Sequence, residues 1–259
     1  MRIARFTTGD DPRYGVVEGD EGAEVVAVLE GDPLYQAIQP TGERLPLKDV
    51  RLVAPVIPRS KVVAIGRNYA AHAAELGNEI PEAPLVFLKP NTSVVGPGDG
   101  IVYPPQTTSL HFEGELAIVI GRICRHVPKD RVDEVIYGYT IANDVTARDL
   151  QQSDKQWWRA KGFDTFCPLG PWIETVLDPS DLTIRTTQNG EERQNGSTAL
   201  MIFDIPTQIA HISAAMTLLP GDVILTGTPA GVGEMNEGDE ISITVEGIGT
   251  LTNRVIKHG

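Results

Sequence analysis

Residues His111–Gly121 read HFEGELAIVIG, in which Glu113 and Glu115 stand two apart and an apolar run, Leu116–Ile120, follows at once. The run is short for a helix and rich in β-branched residues, so it predicts a largely buried strand. Alternate side chains of a strand share a face. The two carboxylates therefore point the same way, with Cα atoms about 7 Å apart. Neighbouring carboxylates at the border of a core repel each other and lose hydration. Two arrangements relieve this: an edge strand whose first residues stay in water, or a cation held between the pair.

The same short grammar runs along the chain. RIARF, YGVVEG, AEVVAVLEG and VRLVAPV are strand-like pieces broken by Gly, Asp and Pro, and they predict a small β domain over residues 1–55. VIPRS, at Val56–Ser60, is a candidate joint to a larger domain spanning 56–259. There KVVAIG, PLVFLKP, IYGYTIAND and DVILTG read as strands, and DEISITVEGIGTLTNRV as a hairpin. NYAAHAAELG predicts a short helix with Asn68 as N-cap and Gly77 as its stop. TQIAHISAAMTLL predicts the clearest helix, Thr207–Leu219, with Ile209, Ile212, Met216 and Leu219 on one face and Pro220-Gly221 ending it. Strands dominate and helices are few, so the expected class is α+β, mainly β.

Charge removes several functions. The 259 residues carry a net charge of −13, which disfavours nucleic acid and acidic membrane surfaces as partners. No apolar stretch has signal-peptide or membrane-spanning length. Cys124 and Cys167 form no CxxC and no framework, so they are expected to be reduced thiols in cytoplasm. The G-x-S-x-G, P-loop and H-E-x-x-H patterns are all missing, which withdraws support from serine hydrolase, P-loop ATPase and zincin chemistry.

A hard cation such as Mg²⁺ or Mn²⁺ needs more oxygen ligands than two carboxylates supply. Asp144 ends the apolar strand IYGYTIAND and is the candidate third ligand; it reads equally as a helix N-cap for VTARDLQ. His72 and Glu75 stand at i, i+3, where a carboxylate can orient an imidazole into a general base; a solvated helix with an incidental histidine has the same pattern. Lys161 and Arg148 are cations near acidic neighbours, as surface ion pairs also are. Lys89 follows three apolar residues in VFLKP, which an edge strand explains. TGTPAGVG, at Thr226–Gly233, is a Gly-rich turn that can cradle a carboxylate through backbone N–H groups. Trp157 and Trp158 either select a substrate or simply pack.

Six segments in this order, GRNYAAHAAELG, FLKPNTSVVGPG, HFEGELAIVIG, GYTIANDVTARDLQ, RAKGFDTFCPLGPWI and LLPGDVILTGTPAGVG, resemble the fumarylacetoacetate hydrolase family. The resemblance spans Lys61 to the C-terminus, and the weakly patterned N-terminal unit is similar to that of many bacterial members. It implies a mixed β-sandwich/β-roll core, a homodimer, and Mg²⁺ or Mn²⁺ held by Glu113, Glu115 and Asp144. It implies that His72 and Glu75 activate water on a lid that orders with substrate, and that Lys161 stabilises an enolate. Gln151 and Thr228 match positions that contact the substrate carboxylate or keto oxygen, and Arg148 matches an arginine near the site.

The implied activity is metal-dependent chemistry of 2-oxo and 1,3-diketo acids. The His72–Glu75 pair favours C–C cleavage releasing pyruvate, as acylpyruvate or fumarylpyruvate hydrolysis or oxaloacetate decarboxylation. The alternative is a 2-hydroxyhepta-2,4-diene-1,7-dioate isomerase of aromatic catabolism. A reading of another class is a non-catalytic protein in which Ca²⁺ ties strands together.

Overall fold

The computed structural model describes residues 1–20 and 22–259. Twelve strands form one sheet. Its main path runs Pro40–Pro46, Val25–Leu29, Arg13–Glu18, Arg2–Thr7, Cys167–Glu174, Ile136–Asn143, Gly114–Ile120, Val223–Leu225, Val62–Gly66 and Leu85–Lys89. The N-terminal strands thus continue the large sheet through antiparallel pairing of Ile3 with Ile173. They also keep a cluster of their own, Ala4, Phe6, Val17, Val26 and Val28. A five-stranded sheet packs over the large one. Its order is Glu191–Ser197, Thr183–Gln188, Glu240–Val245, Gly249–Lys257 and Gly100–Tyr103. A three-stranded sheet joins Thr146–Ala147, Leu110–Phe112 and Gly233–Met235. The chain is therefore mainly β with few helices, as the sequence predicts, and among the described residues no helix is long and apolar enough to cross a membrane.

The strand Gly114–Ile120 shows why its sequence is continuously apolar. Leu116, Ile118 and Ile120 enter one core cluster with Ile141, Ile184 and Ile243. Ala117 and Val119 enter the cluster on the opposite face with Ala142, Leu169 and Leu225. A strand buried on both faces has no polar side to alternate with. It pairs with Ile136–Asn143 on one side and Val223–Leu225 on the other, so the edge-strand reading of Glu113 and Glu115 is overturned.

The single strand expected to carry both Glu113 and Glu115 is also corrected. It breaks at Glu113, with Leu110–Phe112 in the small sheet and Gly114–Ile120 in the large one. At this corner a Cβ on Gly114 would stand 2.4 Å from Thr186 Oγ1, so the crossing of sheets requires glycine.

The helices need two further corrections. The last helix is Ile205–Ala215, not Thr207–Leu219. Asp204 caps it by accepting from Thr207 N at 2.9 Å. Its end comes early because Leu218 leaves the helix to exchange backbone hydrogen bonds with Cys124. The helix Ala70–Glu75 is capped by the extended Tyr69, not by Asn68. Asn68 is instead spent on tertiary contacts described below. Gly77, with φ +66°, ends that helix as read.

Candidate active site

Glu113 lies at the corner between sheets, Glu115 one residue into the large-sheet strand, and Asp144 just past Ile136–Asn143, the neighbouring strand. Pairing of Gly114 with Asn143 sets these carboxylates side by side. The Glu113 N–H donates to Asn143 Oδ1 at 3.0 Å and the Asp144 N–H to Glu113 O at 2.9 Å, which pins the corner. One oxygen from each of the three carboxylates lies within 4.8 Å of the others, and all three residues are buried. Asp144 is not a helix cap, because the following helix, Arg148–Ser153, starts from Ala147.

Three cations meet this cluster. Lys161 Nζ donates to Glu113 Oε2 at 2.7 Å and to Asp144 Oδ2 at 2.6 Å. Arg148 Nη2 donates to Glu113 Oε1 at 2.7 Å. Lys89 Nζ donates to Asp144 Oδ1 at 2.5 Å. Leu85–Lys89 is an edge strand as expected, but its exposed edge does not explain Lys89, which is 1% exposed and turned inward. Lys161 and Arg148 are likewise buried partners of carboxylates, not surface pairs.

Glu115 differs from its neighbours. Among the described residues it has no cation partner, and its Oε2 accepts only the Gly227 N–H, at 2.7 Å. Burial raises its carboxyl, and the negative charges of Asp144 and Glu113 push it further, so it stands well above the ordinary range. Burial also acts on Glu113, but Lys161 and Arg148 outweigh it and hold that carboxyl below the ordinary range. Burial alone would lower the Lys161 ammonium. Asp144 and Glu113 overcome that and raise it, so Lys161 stays charged and serves as a donor, not a base. The all-oxygen donor set, converging and short of positive charge at Glu115, fits a hard divalent cation.

A cleft of about 400 Å³ opens over these residues, lined also by His72, Gln151, Trp157 and Thr228. His72 Nδ1 lies 3.2 Å from Glu75 Oε2, leaving Nε2 as the free ring nitrogen of a buried imidazole. Glu75 in turn accepts from Gly231 N at 3.1 Å. The Gly-rich turn does cradle carboxylates, and they are the chain's own: Glu115 through Gly227 and Glu75 through Gly231. Gln151 Oε1 accepts from Arg148 Nη1 at 2.7 Å. The Thr228 hydroxyl donates to Gly114 O at 2.9 Å and accepts from Gln194 Nε2 at 2.7 Å. Its proton is already committed, so a contact with a ligand would use an oxygen lone pair. His111 is no rival base. Burial first, then the Arg148 charge, pushes it down to about 4.

Sequence reasoning missed three supporting residues. Gln194 bridges Gly114 N and Thr228, and Asn143 holds the Glu113 backbone. Asn68 is completely buried, donates to Phe203 O at 3.0 Å and Thr226 O at 2.8 Å, and accepts from Phe203 N at 2.8 Å. It ties the root of the His72 helix to the end of Val223–Leu225, the strand paired with that of Glu115. For Asn143 and Asn68 the only signal was an uncharged amide near an apolar run, and Gln194, in the polar stretch EERQNGS, had none. Asn68→Ala leaves buried backbone groups unpaired, which costs about 2–3 kcal/mol. The expected result is a lower urea midpoint and a larger fractional loss of turnover than of metal affinity, because His72 is displaced and the carboxylates are not. Urea melts and Mn²⁺ titration of the variant check it.

Fold and site together define a mainly β scaffold with a buried cluster of three carboxylates whose geometry could hold a divalent cation. The fumarylacetoacetate (FAA) hydrolase C-terminal profile matches residues 61–256, and an Rv2993c-like N-terminal profile matches residues 1–55. The chain belongs to the fumarylacetoacetate hydrolase family. It is 53% identical to Protein Rv2993c of Mycobacterium tuberculosis over 264 residues, covering 100% of this chain and 99% of that one. It is 45% identical to oxaloacetate tautomerase YisK of Bacillus subtilis over 223 residues, 81% of this chain and 74% of that one. The crystal structure of 5-carboxymethyl-2-hydroxymuconate delta-isomerase from Mycobacterium smegmatis superposes with a TM-score of 0.93 at 53% identity, each chain covered in full.

Proposed function

We propose that this protein interconverts keto and enol forms of a 2-oxo diacid in a divalent-metal-dependent reaction, with oxaloacetate as the substrate to test first. The observation that carries the reading is the tricarboxylate cluster set beneath a histidine whose Nε2 is free. Glu113, Glu115 and Asp144 would hold Mg²⁺ or Mn²⁺. That cation, when bound, supplies Lewis-acid polarisation of the keto oxygen. His72 Nε2 takes the proton from C3 of the substrate, Glu75 holds the ring and balances its charge, and a proton is returned at oxygen. Lys161 faces the negative charge that develops as the C3 proton leaves. Arg148, whose Nε is buried without a partner, and Gln151 orient the C1 carboxylate. Three cations already face the three carboxylates, so a divalent ion leaves two positive charges for an anionic substrate to offset.

The names of two relatives favour proton transfer over cleavage, since one is a tautomerase and the other an isomerase. The substrates in those names, and fumarylacetoacetate itself, carry at least two carboxylates. C–C cleavage releasing pyruvate is the second reading. It is favoured by the His72–Glu75 pair, which would serve equally to deprotonate an attacking water.

The test follows loss of oxaloacetate enol absorbance with Mg²⁺ or Mn²⁺, and measures pyruvate in parallel. Metal-dependent ketonisation faster than pyruvate release is the expected result. Pyruvate formed at the rate of substrate loss moves cleavage ahead. No metal-dependent turnover of oxaloacetate, acetylpyruvate, fumarylpyruvate or the dienoic diacid leaves only the structural-cation reading.

A further inference from the structure

The cleft has a second cationic pole. Besides the residues of the carboxylate cluster, it is lined by Arg67 and Lys155. Neither takes part in an ion pair among the described residues, although the chain holds 35 Asp and Glu against 22 Lys and Arg. Within the cleft they differ from Lys161 and Arg148, whose charges are taken up by Glu113 and Asp144. Both also sit in the left-handed backbone region, with φ of +55° at Arg67 and +61° at Lys155. That conformation is costly for a side chain with a Cβ and collects at functional sites.

The pole is built onto the inner site by packing. Arg67 Cζ lies 5.9 Å from the centroid of the Trp157 ring. Trp157 packs so closely on Gly66 that a Cβ there would stand 2.5 Å from the indole. Trp157 meets Phe87 edge-on with centroids 5.3 Å apart, and the Phe87 ring lies 5.2 Å from Lys161 Nζ. One continuous stack therefore fixes Arg67 relative to the lysine that touches Glu113 and Asp144. A guanidinium beside an indole still offers paired N–H donors to a carboxylate. Lys155, on the exposed rim, adds charge and little geometry.

We infer that Arg67, assisted by Lys155, is the specificity-determining subsite for the second carboxylate of a diacid substrate. This rests on the 2-oxo acid reading above and deepens it. The inner pole takes the 2-oxo acid end common to all candidate substrates. The outer pole discriminates what lies beyond C3.

Oxaloacetate and acetylpyruvate separate the two ends, because they share the 2-oxo acid and the C3 methylene and differ in carrying a carboxylate or an acetyl group on C3. The experiment measures kcat/KM for both in wild type, Arg67→Met, Arg67→Lys and Lys155→Gly, all with Mn²⁺. A charge-assisted contact predicts that Arg67→Met lowers the oxaloacetate-to-acetylpyruvate ratio about 10–100-fold, mainly through the KM of oxaloacetate. Arg67→Lys should recover part of the ratio. Lys155→Gly should lower it severalfold, and glycine relieves the left-handed backbone, so strain cannot be the cause. The oxaloacetate ratio should also depend on salt in wild type and depend on it less in Arg67→Met, where Lys155 alone remains. An unchanged ratio in Arg67→Met, with either substrate turned over, overturns the subsite and leaves the parent reading intact. A wild type that acts on neither substrate overturns the parent reading and the subsite together.

Discussion

Glu115→Gln should weaken divalent-metal binding by on the order of 10²-fold or more while leaving the metal-free fold at least as stable as wild type. Loss of an outer-shell partner of a metal ligand alone costs about 10–100-fold, and removal of a charged ligand must cost no less. The opposite sign for the metal-free protein follows from the surroundings of Glu115. Its carboxyl is raised by burial and by Asp144 and Glu113, and the Lys161 charge offsets this only in part. A neutral amide of the same size removes that liability and can still accept from Gly227 N. Saturating Mn²⁺ should stabilise wild type by about 2.7 kcal/mol at one hundred times its Kd, and the variant hardly at all at the same concentration. Thermal melts with and without Mn²⁺, and a Mn²⁺ titration, read both signs. A variant that binds Mn²⁺ as tightly as wild type removes Glu115 from the ligand set.

His72→Ala should lower kcat for oxaloacetate ketonisation by about 10²–10⁴-fold, the range lost with a general base, at unchanged metal affinity. His72 contacts Glu75 and not the carboxylate cluster, so the Mn²⁺ titration should match wild type. Decarboxylation of oxaloacetate needs no base at carbon and should lose far less. Lys161→Met should depress both reactions, since both build negative charge at the keto oxygen. A His72→Ala enzyme that ketonises oxaloacetate at the wild-type rate would show that the proton moves elsewhere. Equal losses in ketonisation and decarboxylation would assign His72 to holding the cleft closed.

The sequence by itself determined the strand-dominated class, because short apolar runs punctuated by Gly and Pro leave few other solutions. It also singled out Glu113, Glu115 and Asp144, because a carboxylate next to a buried run is costly enough to demand a reason. His72 and Glu75 were legible for a local cause: i, i+3 on a helix is contact. Tertiary structure decided the rest. Whether Leu116–Ile120 was an edge or an interior strand depended on which strands flank it, which no local pattern encodes. Lys89 read as an edge lysine because strand position is visible in sequence and side-chain direction is not; only the packed sheet turned it onto Asp144. Asn68 was read as a cap because capping is local, while its real partners, Phe203 and Thr226, lie more than 130 residues away. The charge state of Glu115 could not be read at all. It results from burial and from two carboxylates brought near by strand pairing, and electrostatic energy depends on distance through space, which the sequence does not contain.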